Sequence, residues 1–158
     1  MAQLPFDGNF RVFVVDTVAD IAAPTVAEIT AGTEITALLP KSGWSETPTF
    51  NRVAAGNMST LYDAEVMGTW KTTITLTILL DDTADLAWDE FQVQGARTNL
   101  VVLPYKGVAA VAAADKSRCY PVEVARAIPN ASAANERQTA EVACAVYAEP
   151  NLDGAVAA

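Results

Sequence analysis

Thr69 to Leu80 reads TWKTTITLTILL, and its alternation constrains everything else in the chain. Trp70, Thr72, Ile74, Leu76, Ile78 and Leu80 fall on one side, and Thr69, Lys71, Thr73, Thr75 and Thr77 on the other. That is the period of a strand with one face in a core and one face in water. β-Branched Thr and Ile favour the pleated backbone, and the run is long against a usual strand of about five to six residues. A strand of this kind belongs in a substantial antiparallel sheet whose polar face meets solvent, a lumen or a partner.

Other segments supply partners for it. Phe10 to Val15 (FRVFVV) reads as a first strand after an N-terminal arm over residues 1–9. Thr25 and Glu28 have the spacing of a capping box, so a helical turn is expected to run to about Ala31 and stop at Gly32. Thr33 to Leu39 alternates as a second strand. Thr98 to Tyr105 is apolar on both sides, which predicts a deeply buried strand closed by Pro104. Arg118 to Ile128 and Gln138 to Glu149 alternate again, with Tyr120, Val122, Val124 and Ile128 on one face of the former and Val142, Cys144 and Val146 on one face of the latter. Gly107 to Ala114 is an Ala-rich connector, loop or short helix, and PNASAANER (129–137) is a polar turn.

Asp81 to Asp85 opens the one clear helix, with Leu86, Ala87 and Phe91 at helical spacing and Gly95 as its stop. Its three aspartates lack the glycine and closing glutamate of a calcium loop, and helix capping accounts for them. Trp88 is expected to anchor this helix on the sheet. The fold class is therefore mainly β, a β-sandwich or split barrel with one flanking helix, in a single domain.

Residues 40–68 show no sustained period, being cut by Gly43, Pro48, Gly56 and Gly68. A long loop inside a compact domain is normally functional or ordered by a partner; an extended hairpin, Thr47 to Val53 against Tyr62 to Met67, is the other reading. Trp44, Phe50, Met58 and Tyr62 are large apolar side chains that need something to bury against. The tail, residues 150–158, has no period, and its order is expected to depend on a neighbouring subunit.

Composition removes most chemistry. There is no histidine, hence no Ser-His-Asp or Cys-His machinery and no imidazole metal ligand. Cys119 and Cys144 are too few and too far apart for a zinc site, and read as small strand residues. No catalytic, cofactor or metal residues are assigned. The net charge of −9 opposes tight binding to a phosphate backbone. No apolar run approaches the ~18 residues of a membrane span. The opening MAQLPFDGNF has no basic segment followed by an apolar one, so folding in the cytoplasm is expected. The sequons at Asn57 and Asn130 are taken as chance matches.

The order of these segments, together with APTVAEITAGTEIT (Ala23 to Thr36), Tyr120-Pro121-Val122 and the Glu136-Arg137-Gln138 turn, resembles the tail tube (major tail) proteins of long-tailed, non-contractile bacteriophages, particularly those of actinobacterial hosts. The resemblance implies a virion protein assembled in the host cytoplasm, forming hexameric rings that stack head to tail. Their inner sheets would join into one barrel around a lumen holding the tape measure protein and then viral DNA, without tight binding. Tail terminator and distal tail proteins would meet the two ends, and no membrane is involved. It places the loop on an adjacent subunit or the next ring, with Trp44, Phe50, Met58 and Tyr62 as candidate anchors there. Asp63, Glu65, Glu123 and Glu141 are the lumen candidates, an acidic lining being one that DNA slides past, although Lys71 on the Thr-rich face tells against a uniformly repulsive wall. The alternatives are a tail terminator or capsid decoration protein, and, further off, a small-molecule-binding barrel or an enzyme working with carboxylates alone.

Overall fold

A computed structural model describes residues 8–56, 59, 64–80, 86–131 and 136–158. Nine strands form one antiparallel sheet that divides into two halves at a corner. The first half runs β2 (Thr33–Glu34), β1 (Arg11–Val15), β5 (Arg97–Leu103), β6 (Lys116–Val124) and β9 (Asn151–Ala155). The second runs β7 (Ile128–Pro129), β8 (Thr139–Val146), β4 (Glu65–Leu79) and β3 (Trp44–Ala54). Only a short ladder, Val122–Val124 against Cys144–Val146, joins them. This is the split barrel that the sequence predicts, with its core between the two inner faces.

Alternation decides which side chains fill that core. Val12, Val14, Leu100, Val102, Tyr120 and Val122 come from the first half, and Ile74, Leu76, Ile78, Ala140, Val142 and Cys144 from the second. Phe10, before β1, meets Trp44 of β3 at 5.5 Å between ring centroids, so the far ends of the rolled sheet approach each other. The Thr69–Leu80 alternation holds: Thr72, Ile74, Leu76 and Ile78 are buried while Thr69, Lys71 and Thr73 are exposed.

A second apolar layer covers the back of the first half. Phe13, Val15, Val101, Leu103 and Cys119 pack there against Ile29 of α1 (Val26–Ala31) and Val156 of the tail. The α1 start is the predicted capping box, Thr25 Oγ1 accepting from the Glu28 amide and Glu28 accepting from the Thr25 amide. Gly32 ends α1 in an extended conformation, and glycine is required there because a Cβ would stand 2.6 Å from the Val14 carbonyl oxygen.

Five expectations need correcting. Thr33–Leu39 is strand only at Thr33–Glu34; Thr36–Leu38 is a 3₁₀ turn, because the Thr36 hydroxyl takes the Val12 amide in place of a backbone partner. The acid-capped helix is α2, Leu86–Glu90, a single turn whose Ala87 and Phe91 enter the core; Asp81 to Asp85 lie outside the described residues. It flanks the sheet beside α1, so there are two short flanking helices where one is expected. Ile128 leaves the face of Tyr120, Val122 and Val124: β6 ends at Val124, Ala127 takes the buried place, and Ile128 is exposed on β7. The tail is held by its own chain, through β9 on β6 and Ala157 beside Thr25. No helix among the described residues is long and apolar enough to cross a membrane.

Candidate functional site

Residues 40–68 are strand for most of their described length, but the expected pairing of Thr47–Val53 with Tyr62–Met67 is met only at Arg52↔Met67 and Val53↔Val66, since Thr47–Phe50 pair with Thr73–Trp70 instead. Strand β3 pairs with β4 from Trp44↔Leu76 out to Ala54↔Glu65, while β8 pairs only with Thr73–Leu79. Beyond Thr73 the two strands pair only with each other among the described residues, the 146–150 segment lying beside Thr69–Thr72, and the remainder continues as an arm. A two-stranded ribbon alone in water is marginal at best.

The base of the arm is fastened inside the chain. Glu46 points inward and accepts a hydrogen bond from the Tyr120 hydroxyl at 3.1 Å, and the Trp44 and Tyr120 rings lie 5.8 Å apart. Burial first, then the neighbouring Glu46 carboxylate, raises the Tyr120 pKa, which keeps that hydroxyl a proton donor. Trp44 is thereby half-buried against its own core, between Phe10 and Tyr120.

Further out a bulge reverses the pleat of β4. Phe50 faces Trp70 but Arg52 faces Met67, so β4 spends one residue more than β3 over this step. Phe50, Arg52 and Ala54 keep the inward side of β3, and their partners Trp70, Met67 and Glu65 lie with them. Phe50 and Trp70 stack at 6.0 Å, yet Phe50 remains 51% and Met67 66% exposed. The core-facing side of the sheet thus continues into the arm as an apolar strip, half-buried at Trp70 beside the 146–150 segment and exposed at Phe50 and Met67 among the described residues. Glu65 belongs to this side, 3.2 Å from Arg52. Met58 and Tyr62 lie outside the described residues.

The opposite, outward face of the second half is covered by no element among the described residues and is mostly hydroxyl-bearing, with Val53 and Val66 of the arm and Ile128 of β7 exposed on it. The ladders line up Ser45, Thr47 and Thr49 of β3, Lys71, Thr73, Thr75 and Thr77 of β4, and Glu141, Ala143 and Ala145 of β8. Glu123 joins them at the corner, opposite Ala145 and 3.2 Å from Arg97 of β5. An open hollow on this face lies between Lys71, Thr73, Glu123, Ala143 and Ala145, where the side chains are smallest. Two of the four lumen candidates, Glu123 and Glu141, therefore share a face; the bulge puts Glu65 on the other; Asp63 lies outside the described residues.

The sheet margins also differ. The outer edge of β1 is filled by β2 and the Thr36 hydroxyl, and β9 is flanked by the 22–25 segment. The outer edge of β3 pairs with no strand among the described residues, and Pro48, which has no amide to donate, sits in this edge strand. Long open edges template pairing with another chain. Cys119 and Cys144 are buried free thiols, each pushed up to about 12 chiefly by burial, which suits packing rather than chemistry.

Neither the Glu46–Tyr120 fastening nor the bulge was foreseeable from hydrophobic period. The only signal for β3 was its run of Ser45, Thr47 and Thr49 at spacing two. Compared with known proteins, the whole chain, residues 1–158, matches the family model described as phage tail tube protein. No curated protein matches the chain.

Proposed function

We propose, from the premise that the chain belongs to the phage tail tube protein family, that its copies join edge to edge into hexameric rings and that the rings stack head to tail into a hollow conduit for DNA ejection. Membership itself makes it a structural component of the virion tail, in a family that is not one of enzymes. The observation that carries the proposal is the second half-sheet: its inner face is spent on the core, its outer face is bare and its β3 edge is open. A barrel of ~16–18 strands leaves only an aqueous channel, so a bore wide enough for duplex DNA must be shared among several chains. Joining four-stranded half-sheets around an axis supplies the strands and covers the edges.

In this reading the Thr-rich face lines the bore, with Glu123 and Glu141 on it. The apolar strip of the arm, Phe50, Met67 and Trp70, docks on the neighbouring copy or ring, with Met58 and Tyr62 as further anchors by their chemistry. Such a head-to-tail contact propagates a filament. The tape measure protein and DNA occupy the lumen in turn, terminator and distal tail proteins meet the ends, assembly takes place in the host cytoplasm, and the tail is of the non-contractile, actinobacterial-phage kind.

The test is electron microscopy of the purified protein. Tubes or stacked rings are expected; monomers alone at micromolar concentration would sink the reading. Phe50→Ala combined with Met67→Ala is expected to leave a folded monomer by circular dichroism and gel filtration while abolishing tubes. Normal tubes from that variant would remove the role of the arm.

A further inference from the structure

We infer that the bore wall passes DNA by charge balance rather than by repulsion, and that one charge per copy is enough to tip it. The inference deepens the proposed function and rests on it. On the strands of the bare face the charged residues are Lys71, Glu141 and the Arg97–Glu123 pair, so positive and negative charges cancel. Glu65, the remaining described acidic candidate, lies on the other face and is itself neutralised by Arg52. The chain's net charge of −9 is therefore not carried by the described strand residues of this face. Between the charges stand Thr, Ser and Ala, which offer hydroxyls and methyls but no fixed charge to a phosphate.

Balance has a different mechanical consequence from repulsion. Fixed cations bind phosphates by displacing their counterions, so a wall whose cations are matched by its acids has little net grip on DNA. An acidic wall would exclude DNA from the layer of ~8–10 Å over which charge acts at ordinary salt, narrowing the usable bore. The two mechanisms separate when one acid is removed: a balanced wall becomes cationic, whereas an acidic one stays acidic. Glu141 is exposed and makes no ion pair among the described residues, so its replacement breaks none there.

The experiment assembles tubes from the unmodified chain, Glu141→Gln, Lys71→Gln and Asp153→Asn, and measures a fluorescent duplex oligonucleotide sedimenting with them. Asp153 on β9 is the control, since its loss frees Lys116 on the other half of the sheet. Unmodified, Lys71→Gln and Asp153→Asn tubes are expected to retain only background DNA. Glu141→Gln tubes should retain several-fold more, and lose it between about 50 and about 200 mM salt. If Glu141→Gln does not assemble, Glu123→Gln, which frees Arg97, takes its place with the same expectation. Background retention by the acid-to-amide variant would show an acidic surplus and overturn the balance. Equal retention by Asp153→Asn would show that the face is not the wall, and retention by unmodified tubes that the wall is cationic. Absence of tubes from the unmodified chain would overturn the proposed function beneath, an outcome distinguishable from all of these.

Discussion

The two half-sheets contribute alike to one core and are opposites behind it. Behind β1, β5 and β6, α1 and the tail bury Phe13, Val15, Val101 and Leu103, so these strands are apolar on both faces. Behind β3, β4 and β8 stand Ser45, Thr47, Thr73, Thr75 and Glu141, with nothing over them. The same pairing pattern thus gives a finished wall on one side and an unfinished one on the other. What differs is only the side chains at alternate positions and what the rest of the chain has to spare. Both halves hold the shared core, the covered half holds a second apolar layer behind it, and the outer face of the other half is left uncommitted among the described residues.

The largest expected effect sharpens that division. Ile29→Ala, on the cover, should lower the unfolding free energy by about 2–5 kcal/mol, whereas Thr75→Ala on the bare face should change it by less than about 1 kcal/mol. Urea unfolding of the two variants checks this, and equal losses would break the comparison. Next comes Thr25→Ala, which removes the cap of α1 and should cost about 0.5–2 kcal/mol by the same measurement.

Acid should act through the covered half. The Thr25 amide, with further help from the Ala19 amide, holds the Glu28 carboxyl below its ordinary range. Arg11 does the same for Glu34 through their hydrogen bonds, and Lys106 for Asp115. A carboxyl depressed in the folded state stabilises above its unfolded pKa, and that contribution is lost as pH falls through the folded value. The thermal midpoint is therefore expected to hold above pH about 4 and to fall below it. Thr25→Ala should shrink the fall only slightly, since it removes the Thr25 hydroxyl from Glu28 and leaves the Thr25 amide, the largest of its partners, in place.

The smallest effect is on stability and the clearest on access. Cys119 and Cys144, buried and with thiols pushed up to about 12, should resist a maleimide at pH about 8 until the chain unfolds. A thiol placed on the other side by Thr75→Cys should react within the monomer at once, and in assembled tubes only with reagents small enough to enter. Equal labelling of native Cys119 would contradict the cover described for it.

Legibility in the sequence follows from how local each cause is. The capping box is four residues long and could be read directly, as could the alternation of β4 and the two-sided apolar run of β5. Strand β3 was hidden because it alternates Ser45, Thr47 and Thr49 with Trp44, Glu46, Pro48 and Phe50, which gives no clean hydrophobic period. Its face was settled by pairing with β4, not by its own composition. The side of Glu65 depends on one extra residue in β4, which leaves no mark on spacing. The half-burial of Trp44 could not be read because its cage, Phe10 and Tyr120, comes from distant parts of the chain. The tail found its place on a β6 margin that exists only once β8 has left it at the corner.

One strand, β4, runs unbroken from the arm into the middle of the core. A pull on the arm therefore acts along that strand and loads its Thr73–Leu79 ladder with β8 in shear. Hydrogen bonds loaded this way must fail together, whereas a ladder pulled from its end unzips one bond at a time. Tension delivered at a contact between copies is thus carried straight into the best-packed part of the molecule, and a string of such subunits would stretch little before it broke.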